Sequence, residues 1–252
     1  MPDYTRKDIL VLWGKRNLRL KDNFTIVLVR PEKPENVGLV ARALKNTGFE
    51  KLRIVQDKQI LKKAEVTAVH SEDILKKARF FPDVPCAVSD IDVIFAATAK
   101  RRKNFTILSF QVALMKMIEY SSLSRIGLMF GNERTGLTTG ELLHSNFRFS
   151  IPQRTRQPSY NLSSAVLITL FHLFSREEVS AGMPVQKKPI SREEQENCIR
   201  MIIEKLDRGG FFHDTNKQHV TEMVHDLFGR LAMTERDRKL LLAIFSKAFK
   251  KM

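Results

Sequence analysis

Residues 24–55, FTIVLVRPEKPENVGLVARALKNTGFEKLRIV, alternate between strand-like and helix-like patterns and indicate the fold class. The stretch opens with a continuous apolar and β-branched run, Phe24–Val29, which is typical of a strand buried on both faces. Apolar residues then recur at helical spacing over Val37–Leu44, and Thr47-Gly48 supplies a glycine stop signal. A second short apolar strand follows at Leu52–Val55. A strand, a helix and a strand in this order predict the repeating unit of a parallel sheet.

The same alternation continues downstream. A short helix is predicted to begin at Ser71. Further strands are predicted at Asp92–Ala97, Gly127–Phe130 and Phe147–Ile151. Further helices are predicted at Leu108–Glu119, after the capping box Thr138-x-x-Glu141, and at 160–176. Together these elements predict an α/β domain with a mainly parallel sheet over residues 23–177.

The two ends of the chain differ from this central domain. Residues 1–22 are predicted to form a basic N-terminal arm, and 178–190, with Gly182 and two prolines, to form a linker. Residues 191–252 are predicted to be a helical extension. Its first helix starts at the capping box Ser191-x-x-Glu194 and ends at Gly209-Gly210, and two more helices follow at about 215–229 and 235–250. Because so small a helical segment forms only a marginal core, we expect it to pack on the α/β domain or on a second subunit.

Charge gives the first indication of a partner. Lys and Arg number 43 against 28 Asp and Glu, a formal net charge of +15. Such an excess favours a polyanionic partner such as nucleic acid, with a basic surface unrelated to function as the alternative. We expect no membrane attachment, because no apolar run approaches the length of a span and the N-terminus lacks the apolar core of a leader. Two widely separated cysteines, Cys86 and Cys198, suit a reducing cytoplasm.

Several common site types are absent from the sequence. The glycine-containing loop at 131–137 lacks the Lys-Ser/Thr of a nucleotide phosphate loop, and no G-x-G-x-x-G or G-x-S-x-G motif occurs. Glu222-x-x-His225 has the spacing of half a di-iron site, but no second copy exists, so we predict no metal. What remains is a set of three loops that directly follow predicted strands: 97–103, 130–137 and 151–161. Since ligands collect at the carboxyl ends of parallel strands, these loops predict a ligand site.

Three segments resemble the motifs of a known enzyme family. Asn36–Arg42 (NVGLVAR) is similar to the first motif of the SpoU/TrmH family of RNA 2′-O-methyltransferases, and Phe130–Leu137 (FGNERTGL) to the second. Ile151-Pro152 with Ser159–Ala165 (SYNLSSA) resembles the third, and the order and separations of the motifs also match. The resemblance covers about residues 24–252. It is greatest to the branch with a helical C-terminal extension that acts on tRNA.

The resemblance implies a fold and an activity that spacing alone does not predict. The fold is the SPOUT type, an α/β domain with a deep trefoil knot that holds S-adenosylmethionine in a bent form. The active enzyme is expected to be a cytoplasmic homodimer with the cofactor site at the subunit interface. Its implied reaction is methylation of a tRNA ribose, at position 32 of the anticodon loop. The alternatives are 2′-O-methylation of ribosomal RNA and a non-catalytic RNA-binding protein of the same fold.

Family motif positions also imply the site residues. The predicted catalytic set is Arg42, Asn36, Glu133, Ser159 and Asn161. The predicted cofactor contacts are Thr98, Ala99, Lys100, Gly131, Ile151, Pro158, Ser159 and Tyr160, mostly through main-chain groups. Tyr160 stands where the family more often has leucine. The predicted RNA contacts are Lys100, Arg101, Arg102, Lys103, Arg154 and Arg156, with a solvated charge run as the alternative.

Each polar motif residue also has a purely structural interpretation. Asn36 is a candidate cap for the helix after Pro34-Glu35, and Ser159 a candidate cap for the helix at 160–176. Glu133 is a candidate partner for Arg134 or a turn-closing residue, and Arg42 is a candidate surface residue of its helix. The matching set of motifs favours the catalytic interpretation for Arg42, Ser159 and Asn161, while Asn36 and Glu133 stay open between the two.

Overall fold

The computed structural model describes residues 20–99, 105–154, 159–175, 188–212 and 217–248. Within them, seven strands form one sheet in the order β3-β2-β1-β6-β4-β7-β5, and every strand pair is parallel. The strands are β1 (Phe24–Val29), β2 (Lys51–Val55), β3 (Arg79–Phe81), β4 (Val93–Ala97), β5 (Ile107–Ser109), β6 (Ile126–Phe130) and β7 (Phe147–Ser150). The predicted α/β class and the parallel sheet are confirmed.

Helices follow most of the strands. They are α1 (Pro34–Thr47), α2 (Leu61–Ala68), α3 (Glu72–Lys76), α4 (Val84–Val88), α5 (Phe110–Ser121), α6 (Thr139–Leu143), α7 (Leu162–Ser175), α8 (Arg192–Arg208), α9 (Lys217–Gly229) and α10 (Glu235–Ala248). Single 3-10 turns lie at Leu20–Asn23 and Lys58–Ile60. Both predicted capping boxes, at Thr138 and at Ser191, are present.

The two faces of the sheet bury separate cores because strand side chains alternate. Ile26 and Leu28 of β1 pack with α1, α2, α3, α5 and α7, whereas Val27 and Val29 pack with α4 and α6. All six β1 residues are buried, as the continuous apolar run predicts for a central strand. The sheet is therefore covered on both sides, and its carboxyl edge carries the loops that follow the strands.

Two predicted helix starts are wrong, and two short edge strands were not predicted. The helix predicted from Leu108 begins at Phe110, because Ile107–Ser109 pairs with β7 as an edge strand. The three-residue strand β3 at the opposite edge was not predicted either, since it is too short to show a period. The helix predicted from residue 160 begins at Leu162, after Asn161.

The C-terminal helices pack on the α/β domain. Ile190, Cys198, Ile202, Leu206 and Met233 form a core of their own, and the start of α8 is tied to the domain by the Arg192 N–H, which donates to Ile91 O at 2.7 Å. The first of the two expected packing modes, on the α/β domain, is thus confirmed.

A buried ion pair crosses the junction between the domain and the extension. Arg148 of β7 is only 1% exposed and lies 2.9 Å from Asp226 of α9. Burial lowers the pKa of Arg148 to about 10, against the opposing charge of Asp226. The guanidinium is therefore still charged at neutral pH, and it needs its carboxylate partner.

A second polar cluster crosses the same junction. One oxygen of Glu196 of α8 lies 2.6 Å from Arg192 and 3.2 Å from His144, and the other lies 2.8 Å from His225. Burial alone would raise the pKa of Glu196. Its hydrogen bonds with the two histidines and the charge of Arg192 outweigh that effect and hold the pKa far below its usual range.

Some predictions fall on parts of the chain outside the described residues. These parts include residues 1–19 of the arm and 178–187 of the linker, so both segment predictions stand as they are.

Among the described helices, none is both long and apolar enough to cross a membrane. In the described part of the chain, no three His, Cys, Asp or Glu side chains are arranged so that they could hold a metal ion.

Candidate active site

The loops after β4, β6 and β7 meet in one cleft at the carboxyl edge of the sheet. Of the eight predicted cofactor contacts, the six that lie in the described part of the chain all line this cleft: Thr98, Ala99, Gly131, Ile151, Ser159 and Tyr160. Lys100 and Pro158 lie outside the described residues. The apolar part of the lining includes Phe130, Leu137, Leu162 and Ala165.

One wall of the cleft is the main chain of the loop at 131–137. The Gly136 N–H donates to Asn132 O at 2.8 Å, which closes the loop, and Gly136 has the left-handed φ of 68° that favours glycine. A Cβ on Gly131 would lie 2.5 Å from Gly136 C and would also meet the Leu137 nitrogen. Glycine is therefore required at position 131 because the backbone of residues 136 and 137 approaches it closely. At position 136 it is favoured because of the left-handed backbone conformation.

Asn132 holds the turn inside this loop. Its Oδ1 accepts from the N–H groups of Arg134 (2.9 Å) and Thr135 (3.1 Å), and its Nδ2 donates to Arg30 O at 3.0 Å. Sequence reasoning missed this residue as part of the site. An Asn two residues before a polar pair in a glycine-bounded loop is the signal of such an Asx turn.

Three of the predicted catalytic residues form a chain of side-chain hydrogen bonds beside the cleft. Asn161 Nδ2 donates to Asn36 Oδ1 at 3.1 Å, and Asn36 Nδ2 donates to Glu133 Oε1 at 2.7 Å. Glu133 also accepts from the backbone N–H groups of Glu32 (2.8 Å) and Lys33 (3.2 Å). This chain joins the start of α1, the 131–137 loop and the start of α7, which are the three motif segments.

The Glu133 carboxylate is held in its charged form. Burial raises its pKa, but hydrogen bonds from Asn36 and from the backbone of Glu32 and Lys33 outweigh that effect, and the pKa lies below its usual range. At neutral pH Glu133 is therefore a hydrogen-bond acceptor with a full negative charge rather than a proton donor.

The structure tests the structural alternatives for Asn36, Glu133 and Ser159. Asn36 does not cap α1, because the cap position is Lys33 and no side chain bonds there. Glu133 does not pair with Arg134, which lies 3.2 Å from Glu32, and it closes no local turn; its carboxylate accepts from the backbone N–H groups of Glu32 and Lys33. The cap position of α7 belongs to Asn161 rather than to Ser159, since Asn161 Oδ1 accepts from the Ser163 N–H at 2.8 Å.

Arg42 stands apart from the other predicted catalytic residues. It lies on α1 six residues beyond Asn36, roughly 9 Å along the helix axis. Its side chain is exposed, and it is not among the residues that line the cleft of its own chain. The structure therefore places Arg42 on the surface, as its structural alternative has it.

Comparison with known proteins identifies the family to which these motifs belong. The model of the SpoU rRNA methylase family matches residues 23–171.

This chain belongs to the SpoU rRNA methylase family.

Individual relatives of this SpoU-family chain agree with that assignment. It is 32% identical over 213 residues to the tRNA (cytidine-2′-O-)-methyltransferase TrmJ of Methanocaldococcus jannaschii, covering 82% of this chain and 90% of the relative. It is 26% identical over 243 residues to the tRNA (cytidine/uridine/adenosine-2′-O-)-methyltransferase TrmJ of Pseudomonas aeruginosa, covering 91% and 95%. The crystal structure of TrmJ from Z. mobilis ZM4 matches with a TM-score of 0.74 at 26% identity, over 90% of this chain and 99% of that one. The predicted family and its TrmJ branch are both confirmed.

Of the six RNA contacts predicted for this SpoU-family chain, only Arg154 lies among the described residues. Arg154 is exposed beside the cleft, whereas Lys100–Lys103 and Arg156 lie outside the described residues. The basic track for RNA remains a prediction.

Proposed function

We propose that this chain transfers a methyl group from S-adenosylmethionine to a ribose 2′-hydroxyl of tRNA. The observation that carries the proposal is the single cleft that brings together all six described cofactor candidates beside the Asn161–Asn36–Glu133 hydrogen-bond chain. The names of the TrmJ relatives, which are tRNA 2′-O-methyltransferases, support the reaction and the substrate class.

The residues of the cleft fit the proposed cofactor. Apolar side chains such as Leu137 and Ala165 suit a flat adenine ring, and main-chain groups around Gly131 and Ile151 suit its polar edges. Glu133 adds a negative charge to the lining, which suits a positively charged sulfonium. When bound, S-adenosylmethionine would supply an electrophilic methyl group for in-line attack by the ribose 2′-oxygen, and the hydroxyl proton would be released to solvent.

Arg42 is proposed to assist this attack without acting as a base. A guanidinium stays protonated in proteins, so it cannot accept the hydroxyl proton. We propose that it orients an RNA phosphate and stabilises the developing alkoxide. Arg42→Lys should then lose most of the methyl-transfer activity while cofactor affinity stays normal. A fully active lysine variant would show that guanidinium geometry is not needed.

Because Arg42 does not line its own cleft, we propose that it acts at the cleft of a second subunit in a homodimer. An exposed apolar face next to α1 supports such an interface. Leu167 (43% exposed) and Phe171 (54%) lie one turn apart on α7, and Leu39 (39%) is exposed on the neighbouring α1.

A mixing experiment tests this sharing of sites. Arg42→Ala and Glu133→Ala subunits should each be nearly inactive alone. If Arg42 acts across the interface, subunit exchange restores one intact site in each mixed dimer and about a quarter of the wild-type activity. If Arg42 acts within its own chain, the mixture stays inactive. A monomeric protein in sedimentation experiments would also contradict the proposal.

The RNA class is tested by supplying both candidates. The protein is incubated with labelled S-adenosylmethionine and either bulk tRNA lacking the modification or ribosomal RNA. Label in tRNA, mapped to the anticodon loop, is the expected result. Label only in ribosomal RNA would support the first alternative, and no label despite cofactor binding would favour the non-catalytic alternative. The trefoil knot and the cytoplasmic location are parts of the same proposal.

The approach path of the RNA is proposed to run over Lys100–Lys103, with Arg154 and Arg156 alongside. Basic side chains bind phosphates without reading sequence, so reversing the charges of Lys100–Lys103 should weaken tRNA binding and flatten its dependence on salt. An unchanged salt slope would place the RNA elsewhere.

A further inference from the structure

Arg30, the first residue after β1, has an unusual backbone conformation. Its φ is 53°, in the left-handed region that non-glycine residues rarely adopt. Its backbone is bonded on both sides: the N–H donates to Val55 O at 3.1 Å, and the carbonyl accepts from Asn132 Nδ2 at 3.0 Å. Strained residues persist where surrounding contacts hold them, and they often lie at functional sites.

The side chain of Arg30 makes a second set of bonds. Its Nε donates to Glu141 Oε1 at 2.7 Å and its terminal nitrogen to Glu141 Oε2 at 2.9 Å, which is a bidentate pair. The same terminal nitrogen donates to Gly136 O at 3.3 Å. Glu141 also accepts from the Thr138 N–H at 2.7 Å in the capping box of α6, so the pair ties the end of β1 to this helix.

These bonds place Arg30 at both ends of the 131–137 loop. Its carbonyl holds Asn132 and its guanidinium holds Gly136, while the intervening Glu133 bonds the backbone of Glu32 and Lys33, two and three residues after Arg30. The bonds of Arg30 and Glu133 therefore connect segment 30–33 to the 131–137 loop at several points. Arg30 is not among the residues that line the cofactor cleft, so its effect on the cleft has to pass through the loop.

The electrostatics of the pair favour a fixed geometry. The Glu141 side chain is only 16% exposed and that of Arg30 is 41% exposed. Burial raises the pKa of Glu141, but the bonds from Arg30 and from the Thr138 backbone outweigh it and leave the pKa below its usual range. A charged, largely buried carboxylate that accepts hydrogen bonds at both oxygens restricts the guanidinium more than an exposed ion pair does.

We infer that Arg30, through its bonds to Glu141, Gly136 and Asn132, is a positioning residue that holds the 131–137 loop, and with it Glu133, in the geometry needed for methyl transfer. The inference rests on the proposed function for the reaction, but the holding of the loop is measurable without any activity.

The test compares two substitutions at the same position. Arg30→Asn removes the guanidinium and its hydrogen bonds. Because Asn also tolerates the left-handed backbone, any effect comes from loss of those bonds and not from a change of backbone conformation. Arg30→Lys keeps the charge but cannot grip Glu141 and Gly136 together. Arg125→Asn is the matched control, because Arg125 makes an equivalent bidentate pair with Asp92 where β4 and β6 begin, at the opposite edge of the sheet from the cleft.

The first readout is hydrogen exchange of the backbone amides. Arg30→Asn should speed exchange at residues 132–137 at least tenfold, and Arg30→Lys by nearly as much, while exchange in β7 stays unchanged. Arg125→Asn should not alter exchange at 132–137. Unchanged loop exchange in Arg30→Asn would overturn the inference whether or not the protein methylates tRNA.

The second readout is the split between binding and turnover. Arg30→Asn should lower kcat on tRNA by about tenfold or more, because a small displacement of groups near the reacting atoms lowers the rate of methyl transfer steeply. The affinity for tRNA should change little. Glu141→Gln should have a similar effect, and the double variant should be no worse than either single one. If kcat falls no further in Arg30→Asn than in Arg125→Asn, Arg30 has only a structural role, and the inference that it positions the loop for methyl transfer is wrong. If the wild-type protein does not methylate tRNA, the proposed function is wrong. The hydrogen-exchange result would still show whether Arg30 holds the 131–137 loop.

Discussion

Gly131→Ala is the substitution that most directly probes the wall of the proposed cofactor cleft. The new Cβ would lie 2.5 Å from Gly136 C and 2.9 Å from Gly136 O, with the Leu137 nitrogen also in the way. All three are backbone atoms, so no side-chain rotation relieves the clash. The loop therefore has to move away from β6, and the wall of the cleft moves with it.

The size of the effect follows from the displacement. Real Cβ contacts essentially never fall below 3.0 Å, so the loop has to shift by at least about 0.5 Å. Overpacking of this kind costs about 1–3 kcal/mol of folding stability. Because the shifted atoms are the ones proposed to hold the cofactor, affinity for S-adenosylmethionine should fall about 10- to 100-fold, which corresponds to about 1.4–2.8 kcal/mol.

The assay is calorimetric titration with S-adenosylmethionine, with thermal unfolding to confirm that the variant is folded. Gly140→Ala is the matched control, since its Cβ would meet nothing within 4 Å and it lies in the nearby helix α6. The control should keep wild-type affinity and gain slightly in stability. A folded Gly131→Ala protein with wild-type affinity would refute the assignment of the cofactor to this cleft.

Three further predictions concern the scaffold. Gly38→Ala should lower stability by about 1–3 kcal/mol in urea unfolding, because its Cβ would clash with Ala64 O and with the Thr67 hydroxyl where α1 crosses α2; an unchanged midpoint would contradict that close packing. Asp226→Ala should cost about 3–5 kcal/mol because it leaves the buried Arg148 charge unpaired, and a loss typical of surface pairs, under 1 kcal/mol, would show that the pair is unimportant. Glu196→Gln should lower the melting temperature at pH 7. Since the pKa of Glu196 is depressed in the folded state, its contribution is present above the unfolded pKa of about 4.3 and is lost as pH falls further, so the gap to wild type should narrow below about pH 4. A gap that stays constant down to pH 3 would contradict the depressed pKa.

Local sequence pattern predicted the central strands well. Phe24–Val29 and Val93–Ala97 are continuous apolar runs, and burial on both faces of a parallel sheet demands that pattern. The edge strands Arg79–Phe81 and Ile107–Ser109 have three residues each, which is too few to show a period, and their existence depends on the strands they pair with. A knot depends on the path of the whole chain, so no local pattern predicts one.

The sequence indicated the candidate residues of the site but not the bonds between them. Family motifs indicated Asn36, Glu133 and Asn161 separately, and only the fold brings residues so far apart in sequence into one hydrogen-bond chain. Glu141 was correctly predicted as half of a capping box, yet its second partner Arg30 lies 111 residues away. Helical spacing places Arg42 on an exposed face of α1, and it carries no information about what that face contacts.

Alkaline digestion of the product RNA distinguishes methyl transfer to a ribose oxygen from methyl transfer to a base. The protein is incubated with methyl-labelled S-adenosylmethionine and unmodified tRNA, and the RNA is then digested in alkali, which cleaves only next to a free 2′-hydroxyl. A methylated 2′-oxygen blocks cleavage, so the label should be recovered in alkali-resistant dinucleotides, and Gly131→Ala protein should yield far less of it. Label recovered in single nucleotides would mean that a base is methylated, and would contradict the proposed function.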